Sequence, residues 1–263
     1  MSMPAYNTER YIGEAIKSIL AQDDIEFELI IVDDKSSDST LSVAESFNDP
    51  RIKILTNDRR MGIGYCHNKV IKNCNSEIIC HVDSDDYILK GSLKKMYDSL
   101  VYNADNYYSF CYYHKVDEHS SFLYKGTNDY ADRIKSLRKP GMDFKRGLLR
   151  RGMIANHFRT YRREVFKVVG KFNEKIKFGT DYEMALRIAD KLNMCLVPEF
   201  LYFYRIHSKN TVQRMMFANL RFWIQRWSMY YRLRNTGVSF LRQSRYNPYI
   251  YLLLNTYKIF KTY

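Results

Sequence analysis

The first hundred residues alternate between short apolar runs and segments in which apolar side chains recur every three or four positions. The apolar runs predict four buried strands, at about 2–4, 27–32, 52–55 and 78–82. The periodic segments predict three helices, at about 9–21, 41–47 and 65–73. Strands and helices that alternate on short connections are typical of an open sheet with right-handed crossovers. We therefore expect an α/β fold with a mostly parallel, Rossmann-like sheet flanked by helices.

Polar residues follow three of the predicted strands at the point where each strand ends, in segments 4–7, 33–34 and 83–86. In open α/β sheets, ligands bind at the carboxyl ends of the strands. We therefore expect these three segments to line one crevice.

The third of these segments places the carboxylates of Asp83, Asp85 and Asp86 within four residues. Clustered carboxylates repel one another, and each is costly to desolvate. A cation among them removes that cost, and closely spaced oxygen ligands suit Mg²⁺ or Mn²⁺. The alternative on spacing alone is a solvated acidic turn after a strand.

The sequence lacks the glycine-rich motifs that hold nucleotide phosphates. Gly62 and Gly64 have no third glycine at the required spacing, since His67 stands there, and the pair follows a loop. This pattern argues against a dinucleotide fingerprint, and a P-loop is also missing. Phosphates would then have to be held by a metal and basic side chains.

Composition favours a reduced, cytosolic protein. The five cysteines form no Cys-x-x-Cys pair, and their number is odd. This pattern argues against a disulfide framework or a zinc site. The sequence shows neither a basic start followed by an apolar leader nor about 18 consecutive apolar residues, so we expect no signal peptide and no membrane span.

The net charge of +13 is concentrated in the last quarter of the chain. Residues 200–263 contain eleven Lys and Arg and no Asp or Glu, whereas residues 1–199 contain 31 basic and 29 acidic residues. We expect 213–263 to form a basic, aromatic helical extension. Three roles are open for this extension: peripheral contact with the inner face of a membrane, packing on the main domain, or a dimer interface. No nucleic-acid partner is expected, because the excess charge is confined to this tail.

Four segments occur in a characteristic order and spacing, at 4–7, 31–38, 62–68 and 83–86. Together they resemble the family 2 glycosyltransferases, which have the GT-A fold and invert the anomeric centre of a nucleotide sugar. Later segments are similar to bacterial chondroitin and hyaluronan synthases, at 153–159, 172–176, 180–184 and 204–207. The resemblance implies one domain over 1–212, with a nucleotide-binding half (1–100) and an acceptor half (101–212). In the acceptor half we expect a strand at about 107–113, and 125–152 could include a mobile loop over the acceptor.

The resemblance also implies roles for single residues. Those expected to bind the nucleotide sugar are Pro4, Ala5, Tyr6, Asn7, Asp33, Asp58, Arg60, Asn68, Asp83 and Ser84. Asp85 and His207 are expected to bind Mn²⁺ or Mg²⁺, and Asp181 to act as the catalytic base. Those expected to face the acceptor or donor sugar are Asn156, His157 and Thr180.

Two of these assignments have plain structural alternatives. Asp181 could be a carboxylate that only stabilises the start of a helix, and His207 could be a hydrogen-bonded structural histidine. Many family members have Glu-Asp where this chain has Thr180 and Asp181. The synthase-like members also lack that Glu, so the difference narrows the subfamily.

The sequence therefore predicts a metal-dependent inverting glycosyltransferase. It would transfer an N-acetylhexosamine or hexose from a UDP-sugar to a polysaccharide or glycolipid acceptor. One alternative is a metal-dependent nucleotidyltransferase, which would release pyrophosphate. The other is a non-catalytic basic module that binds membranes or nucleic acid.

Overall fold

A computed structural model describes residues 1–126, 144–145, 147–148, 153–176 and 179–208. The predicted extension at 213–263 and most of segment 125–152 lie outside these residues.

The amino-terminal half contains a parallel sheet formed by β1 (Ser2–Ala5), β2 (Leu29–Asp33) and β3 (Ile52–Thr56). A fourth strand, β4 (Ile78–Cys80), continues into a parallel bridge between Ser2 and His81. The strand order is therefore β3-β2-β1-β4. Every residue of β2 is buried, which explains its uninterrupted apolar run, because helices cover both faces of a central parallel strand.

The helices of this half are α1 (Ile12–Leu20), α2 (Thr40–Glu45), α3 (Ile63–Asn73) and α4 (Ser92–Val101). The first three lie within a few residues of the predicted bounds. On α1 the buried side chains are Ile12, Ala15, Ile16 and Ile19. This spacing puts one helix face against β1 and β2.

A second sheet contains β5 (Tyr87–Ile88), β6 (Asn106–Val116), β7 (Phe122–Gly126), β8 (His157–Arg162) and β9 (Asn193–Arg205). The order is β4-β8-β6-β9-β5, and β7 also pairs with β6. The β6–β9 pair is parallel, whereas β4–β8, β5–β9, β6–β7 and β6–β8 are antiparallel. The predicted parallel sheet is thus the amino-terminal one, and the second sheet is mixed.

Two further helices, α5 (Val165–Val168) and α6 (Thr180–Lys191), pack on the sheets. On α6, Ile188 lies in the same apolar cluster as Ile30 of β2 and Tyr161 of β8. The two sheets therefore share a core. In the described part of the chain, none of the helices is long and apolar enough to cross a membrane.

Candidate functional site

The acidic turn after β4 lies beside β1, because the Val82 amide donates to the Ser2 carbonyl at 3.0 Å. Within it, Asp86 is buried and both of its carboxylate oxygens are engaged. One accepts the Tyr202 hydroxyl at 2.7 Å, and the other accepts the Arg205 amide at 2.8 Å. Asp86 therefore attaches the turn to β9.

Asp85 and His207 meet in the structure although they are 122 residues apart in the chain. Asp85 Oδ2 and His207 Nε2 lie 3.0 Å apart. The His207 ring also packs against Tyr11, with centroids 4.6 Å apart. Arg205 donates from Nε to the Asp85 carbonyl at 2.9 Å, which holds the turn next to the end of β9.

A buried arginine, Arg159 on β8, connects two of the predicted site residues. Its Nη2 donates to both Asp83 oxygens, at 3.0 and 3.3 Å. Its Nη1 donates to Asp181 Oδ2 at 3.3 Å and to the Asn156 carbonyl at 2.9 Å. The side chain is 7% exposed, so this cation belongs to the site interior. Sequence reasoning did not single it out, because β8 contains a second arginine, Arg162, and the sequence alone does not distinguish the two.

Asp181 lies in the first turn of α6. Its Oδ1 accepts the Tyr182 amide at 2.8 Å, and its side chain is about one-third exposed, at 36%. The helix begins after Gly179, whose φ of 74° lies in the left-handed region that favours glycine. Buried Thr180 lies close to the first turn of α3, since a β-carbon added to Gly64 would lie 3.2 Å from Thr180 Cγ2. The Asp181 carboxylate is thus oriented by Arg159 and still accessible.

Two carboxylates of this site, those of Asp83 and Asp86, favour the protonated form more than a free carboxylate does, because their pKa values are raised. Burial raises the pKa of Asp83, nearby Asp85 and Asp181 add to this effect, and Arg159 opposes it. Burial also raises the pKa of Asp86 well above its ordinary value, with Asp85 and Asp83 contributing. An additional cation would stabilise the ionised forms.

His157 lies against the same carboxylates. Its ring stacks on Tyr202 and Tyr204, with centroids 5.0 and 4.7 Å away. Potential ligand atoms of Asp83, Asp86 and His157 all lie within 4.8 Å of one another. This second group of possible metal ligands was not among the predictions, and it is less available because both Asp86 oxygens are already hydrogen-bonded.

The two aspartates at the end of β2 have different roles. Asp33 is buried; its Oδ2 accepts the Ser36 amide at 3.1 Å, and its Oδ1 has no hydrogen-bond partner among the described residues. Asp34 accepts three bonds, from Asn57 Nδ2 at 2.8 Å and from the amides of Met61 and Gly62 at 2.7 and 2.8 Å. Asp34 therefore holds the 57–62 loop, whereas one buried Asp33 oxygen has no hydrogen-bond partner among the described residues.

Replacing Asp34 with Ala should lower the free energy of unfolding by about 3 kcal/mol, because three donors lose their acceptor. Urea denaturation of the two proteins measures this difference. Asp49→Ala is the control: the Asp49 carboxylate also accepts three hydrogen bonds, but all come from Arg51 at the solvent-exposed surface, so its loss should cost much less. Equal losses in both variants would contradict the role of Asp34.

Several other residues that are predicted to bind the nucleotide sugar lie in segment 4–7 or next to it in space. Asn7 has a φ of 53°, and its side chain accepts the Ser37 amide at 2.9 Å. The Arg60 guanidinium lies 4.0 Å from the centroid of the Tyr6 ring. Pro4 and Ala5 belong to β1.

Three further predicted residues lie in different surroundings. Ser84 is buried and accepts the Thr8 hydroxyl at 3.1 Å, whereas Asp58 is exposed. Asn68 donates to the Phe172 carbonyl and to Glu174, at 2.9 and 2.7 Å, and its oxygen accepts the Phe172 amide at 2.9 Å. The Asn68 amide thus connects α3 to the 172–174 segment, and its role toward a nucleotide stays a prediction.

Known proteins resemble this chain over most of its length. Chondroitin synthase from Escherichia coli is 27% identical over 214 residues, which are 80% of this chain and 29% of that protein. Hyaluronan synthase from Pasteurella multocida is 28% identical over 219 residues, which are 80% of this chain and 20% of that protein. The chain therefore spans less than a third of the length of these relatives.

Solved structures share the fold. Staphylococcus aureus TarS in complex with UDP-GlcNAc superposes with a TM-score of 0.63 at 22% identity, over 80% of this chain and 60% of that one. A mannosyltransferase from Pyrobaculum calidifontis, in complex with GDP-Man and Mn²⁺, has a TM-score of 0.62 at 18% identity, over 79% of this chain and 56% of that one. These similarities confirm the expected GT-A fold.

The sequence model of one family, described as Glycosyl transferase family 2, matches residues 2–170. This match includes β1 to β4, the acidic turn and Arg159. The match therefore favours the predicted glycosyltransferase over the two alternatives, a nucleotidyltransferase and a non-catalytic binding module. The chain belongs to glycosyl transferase family 2.

Proposed function

We propose that this chain transfers a sugar from a UDP-sugar to a polysaccharide or glycolipid acceptor, with inversion and with the help of a divalent metal. The observation that carries the proposal is the bridge made by Arg159, which joins Asp83 of the acidic turn to Asp181. This contact between Asp83 and Asp181 through one arginine supports a base that lies close to the metal and the diphosphate. The UDP-GlcNAc complex of TarS and the names of the synthase relatives support a UDP-sugar donor.

Asp85 and His207 fit a divalent metal. Two adjacent ligands of an octahedral ion, each about 2.1 Å from it, are roughly 3 Å apart, and Asp85 Oδ2 and His207 Nε2 are separated by 3.0 Å. A carboxylate and an imidazole are both suitable ligands for Mn²⁺. A bound ion would neutralise charge on the diphosphate of the donor. The Mn²⁺ in the mannosyltransferase complex supports this assignment.

Asp181 is suited to act as the base. In a single displacement, the acceptor oxygen bonds to the anomeric carbon while the bond from that carbon to the diphosphate oxygen breaks. The acceptor hydroxyl proton passes to the Asp181 carboxylate, and UDP leaves. Arg159 holds Asp181 Oδ2, so the carboxylate is oriented before the acceptor arrives. One base on the acceptor face is sufficient for an inverting reaction.

Asp33 is suited to bind the base of the nucleotide. A buried carboxylate oxygen without a partner among the described residues costs free energy, and a nucleobase N–H would provide the missing donor. Thr180, Asn156 and His157 lie next to Asp181 and Asp83 in the chain or in space. We assign them to the sugar side of the site. The donor would be an N-acetylhexosamine or a hexose.

Metal dependence provides the test. With a panel of UDP-sugars, an acceptor mixture and Mn²⁺, we expect release of UDP that falls to background in EDTA and returns when Mn²⁺ is restored. Asp85→Asn should need at least about tenfold more Mn²⁺ for half-maximal rate, because one ligand is weakened. Asp98→Asn is the control, since Asp98 pairs with Lys94 on α4.

Release that is insensitive to chelation would contradict the metal assignment. Release of pyrophosphate in place of UDP would show a nucleotidyltransferase.

A further inference from the structure

Arg205, the last residue of β9, is a buried cation that contacts the main chain of a proposed metal ligand. Its side chain is 1% exposed, and its Nε donates to the Asp85 carbonyl at 2.9 Å. This bond fixes the backbone of Asp85 without using the carboxylate that would bind a metal. The other proposed ligand, His207, follows Arg205 by two residues. The arginine is therefore next to one ligand in space and next to the other in the chain.

The remaining nitrogens of the guanidinium contact two elements from distant parts of the chain. Nη2 donates to Glu14 Oε2 on α1 at 2.5 Å. Nη1 donates to Ser120 Oγ at 2.8 Å, in the turn between β6 and β7. The planar fork of an arginine satisfies several acceptors at once in fixed directions. Arg205 therefore joins β9, α1 and the β6–β7 turn at the point where Asp85 is held.

Aromatic rings also fix the position of the guanidinium. The Arg205 Cζ lies 4.9 Å from the centroid of the Tyr11 ring and 5.4 Å from that of Tyr87. Tyr11 packs against the His207 ring as well, with centroids 4.6 Å apart. One tyrosine ring thus contacts both the arginine and the second proposed ligand, so Arg205 and His207 are held relative to each other by a shared neighbour.

The charge of Arg205 and its geometry have opposite consequences for a metal at Asp85. A guanidinium near the site repels a divalent cation, so its removal tightens metal binding if charge dominates. Its bond to the Asp85 carbonyl restricts that residue, so its removal weakens metal binding if geometry dominates. The ion pair with Glu14 offsets the repulsion, which favours the geometric effect.

We propose that Arg205 is a positioning residue for the metal site, which holds Asp85 where its carboxylate and the His207 imidazole can bind one ion. Glu14 and Ser120 hold the guanidinium in turn. The inference rests on the proposed function, because it takes Asp85 and His207 as the metal ligands. It adds that metal affinity depends on contacts made by α1 and by the β6–β7 turn, neither of which supplies a ligand.

Binding of Mn²⁺ to the metal-free full chain tests this role without any turnover. The protein is titrated with Mn²⁺ at a fixed UDP concentration, and electron paramagnetic resonance of the unbound ion gives the Kd. A titration of UDP without protein gives the background. Arg205→Lys retains the positive charge but loses the planar fork, and it should raise the Kd by about tenfold or more, as expected for a residue that orients a metal ligand.

Two further variants separate geometry from charge and from folding. Arg205→Met also removes the positive charge, and it should still raise the Kd. Glu14→Gln is the milder change, since Glu14 is 44% exposed and an amide oxygen still accepts from Arg205. It should raise the Kd by a smaller factor than Arg205→Lys does.

Arg187→Lys is the matched control, because Arg187 has the same kinds of partner on α6. It pairs with Glu183 and donates to the carbonyl oxygens of Gly170 and Lys171. This variant should lose stability in urea denaturation and leave the Kd of Mn²⁺ unchanged. Circular dichroism of each variant verifies that it is folded.

Three results would overturn the positioning role. One is a Kd in Arg205→Lys that equals that of the wild type, and another is tighter binding in Arg205→Met. The third is an equal rise of the Kd in Arg187→Lys, which would reflect lost stability alone. If both Arg205 variants fail to fold, Glu14→Gln decides, and an unchanged Kd there overturns the role.

Failure of the positioning role is distinguishable from failure of the proposed function. If the wild type binds Mn²⁺ and Asp85→Asn weakens that binding while the Arg205 variants do not, only the positioning role fails. If the wild type binds no Mn²⁺ in the presence of UDP, the metal assignment fails and the positioning role fails with it.

Discussion

Asp181→Asn should lower the rate of sugar transfer by about 10²–10⁴-fold, the usual contribution of a general base. An asparagine amide cannot take the acceptor proton, although it has nearly the same shape as the carboxylate. The Kd of the UDP-sugar should change little, because Asp181 is assigned to the acceptor side. Transfer rates and calorimetric titration of the UDP-sugar measure the two quantities separately.

Asp190→Asn is the control for this variant, since Asp190 lies on the same helix, is exposed and pairs with Lys145. Its transfer rate should be close to that of the wild type. If Asp181→Asn retains most of its activity, Asp181 is not the base. If it is folded but no longer binds the UDP-sugar, the residue belongs to the donor site.

Arg159→Met should damage both stability and transfer. The guanidinium is the cation that contacts Asp83 and Asp181 together, and a methionine would leave the two carboxylates facing each other without it. Breaking a buried ion pair costs about 3–5 kcal/mol. We expect about 2–4 kcal/mol here, because both carboxylates are partly exposed. Transfer should fall by about 10²-fold, since the base loses the contact that orients it.

The stability loss of Arg159→Met should depend on pH in a defined direction. Burial already raises the pKa of Asp83, and Arg159 opposes that rise. Without Arg159 the pKa of folded Asp83 rises further above its value in the unfolded chain. A raised folded pKa costs stability as pH increases through it. The variant should therefore lose more stability at pH 8 than at pH 5, as measured by urea denaturation at both values.

Arg162→Met is the matched control on the same strand. Arg162 donates to the carbonyl oxygens of Asn106 and Leu100 and contacts no site carboxylate in the described structure. Its loss should cost stability equally at both pH values and leave transfer intact in the folded fraction. The same pH dependence in both variants would remove the electrostatic role assigned to Arg159.

The local pattern of the sequence was sufficient for the amino-terminal sheet. The apolar run at β2 predicts a buried strand, and the three-to-four-residue spacing on α1 predicts a helix with one apolar face. Both are buried when they pack against each other. The proximity of segments 4–7, 33–34 and 83–86 followed from the same pattern, because parallel strands end at one edge. The second sheet was harder to predict, because β6 has large side chains on both faces and so lacks the alternation that reveals direction and partners.

Single-residue roles depended more on tertiary structure. The sequence places Asp33 and Asp34 side by side. Only the fold shows that Asp34 is engaged by the 57–62 loop, while one Asp33 oxygen has no partner in the part of the chain that the structure describes. Likewise, Asp85 and His207 could be paired from the sequence only through a family resemblance, and their 3.0 Å separation is a product of the fold.

The role of Arg159 could not be inferred from the sequence alone. The family resemblance included its segment, 153–159, but its two carboxylate partners come from the turn after β4 and from the start of α6. Secondary structure follows from spacing along the chain, because its hydrogen bonds and apolar faces are local. The charge balance of the site depends on which distant groups come within a few ångströms of one another, and that was decided only when the sheets and α6 packed together.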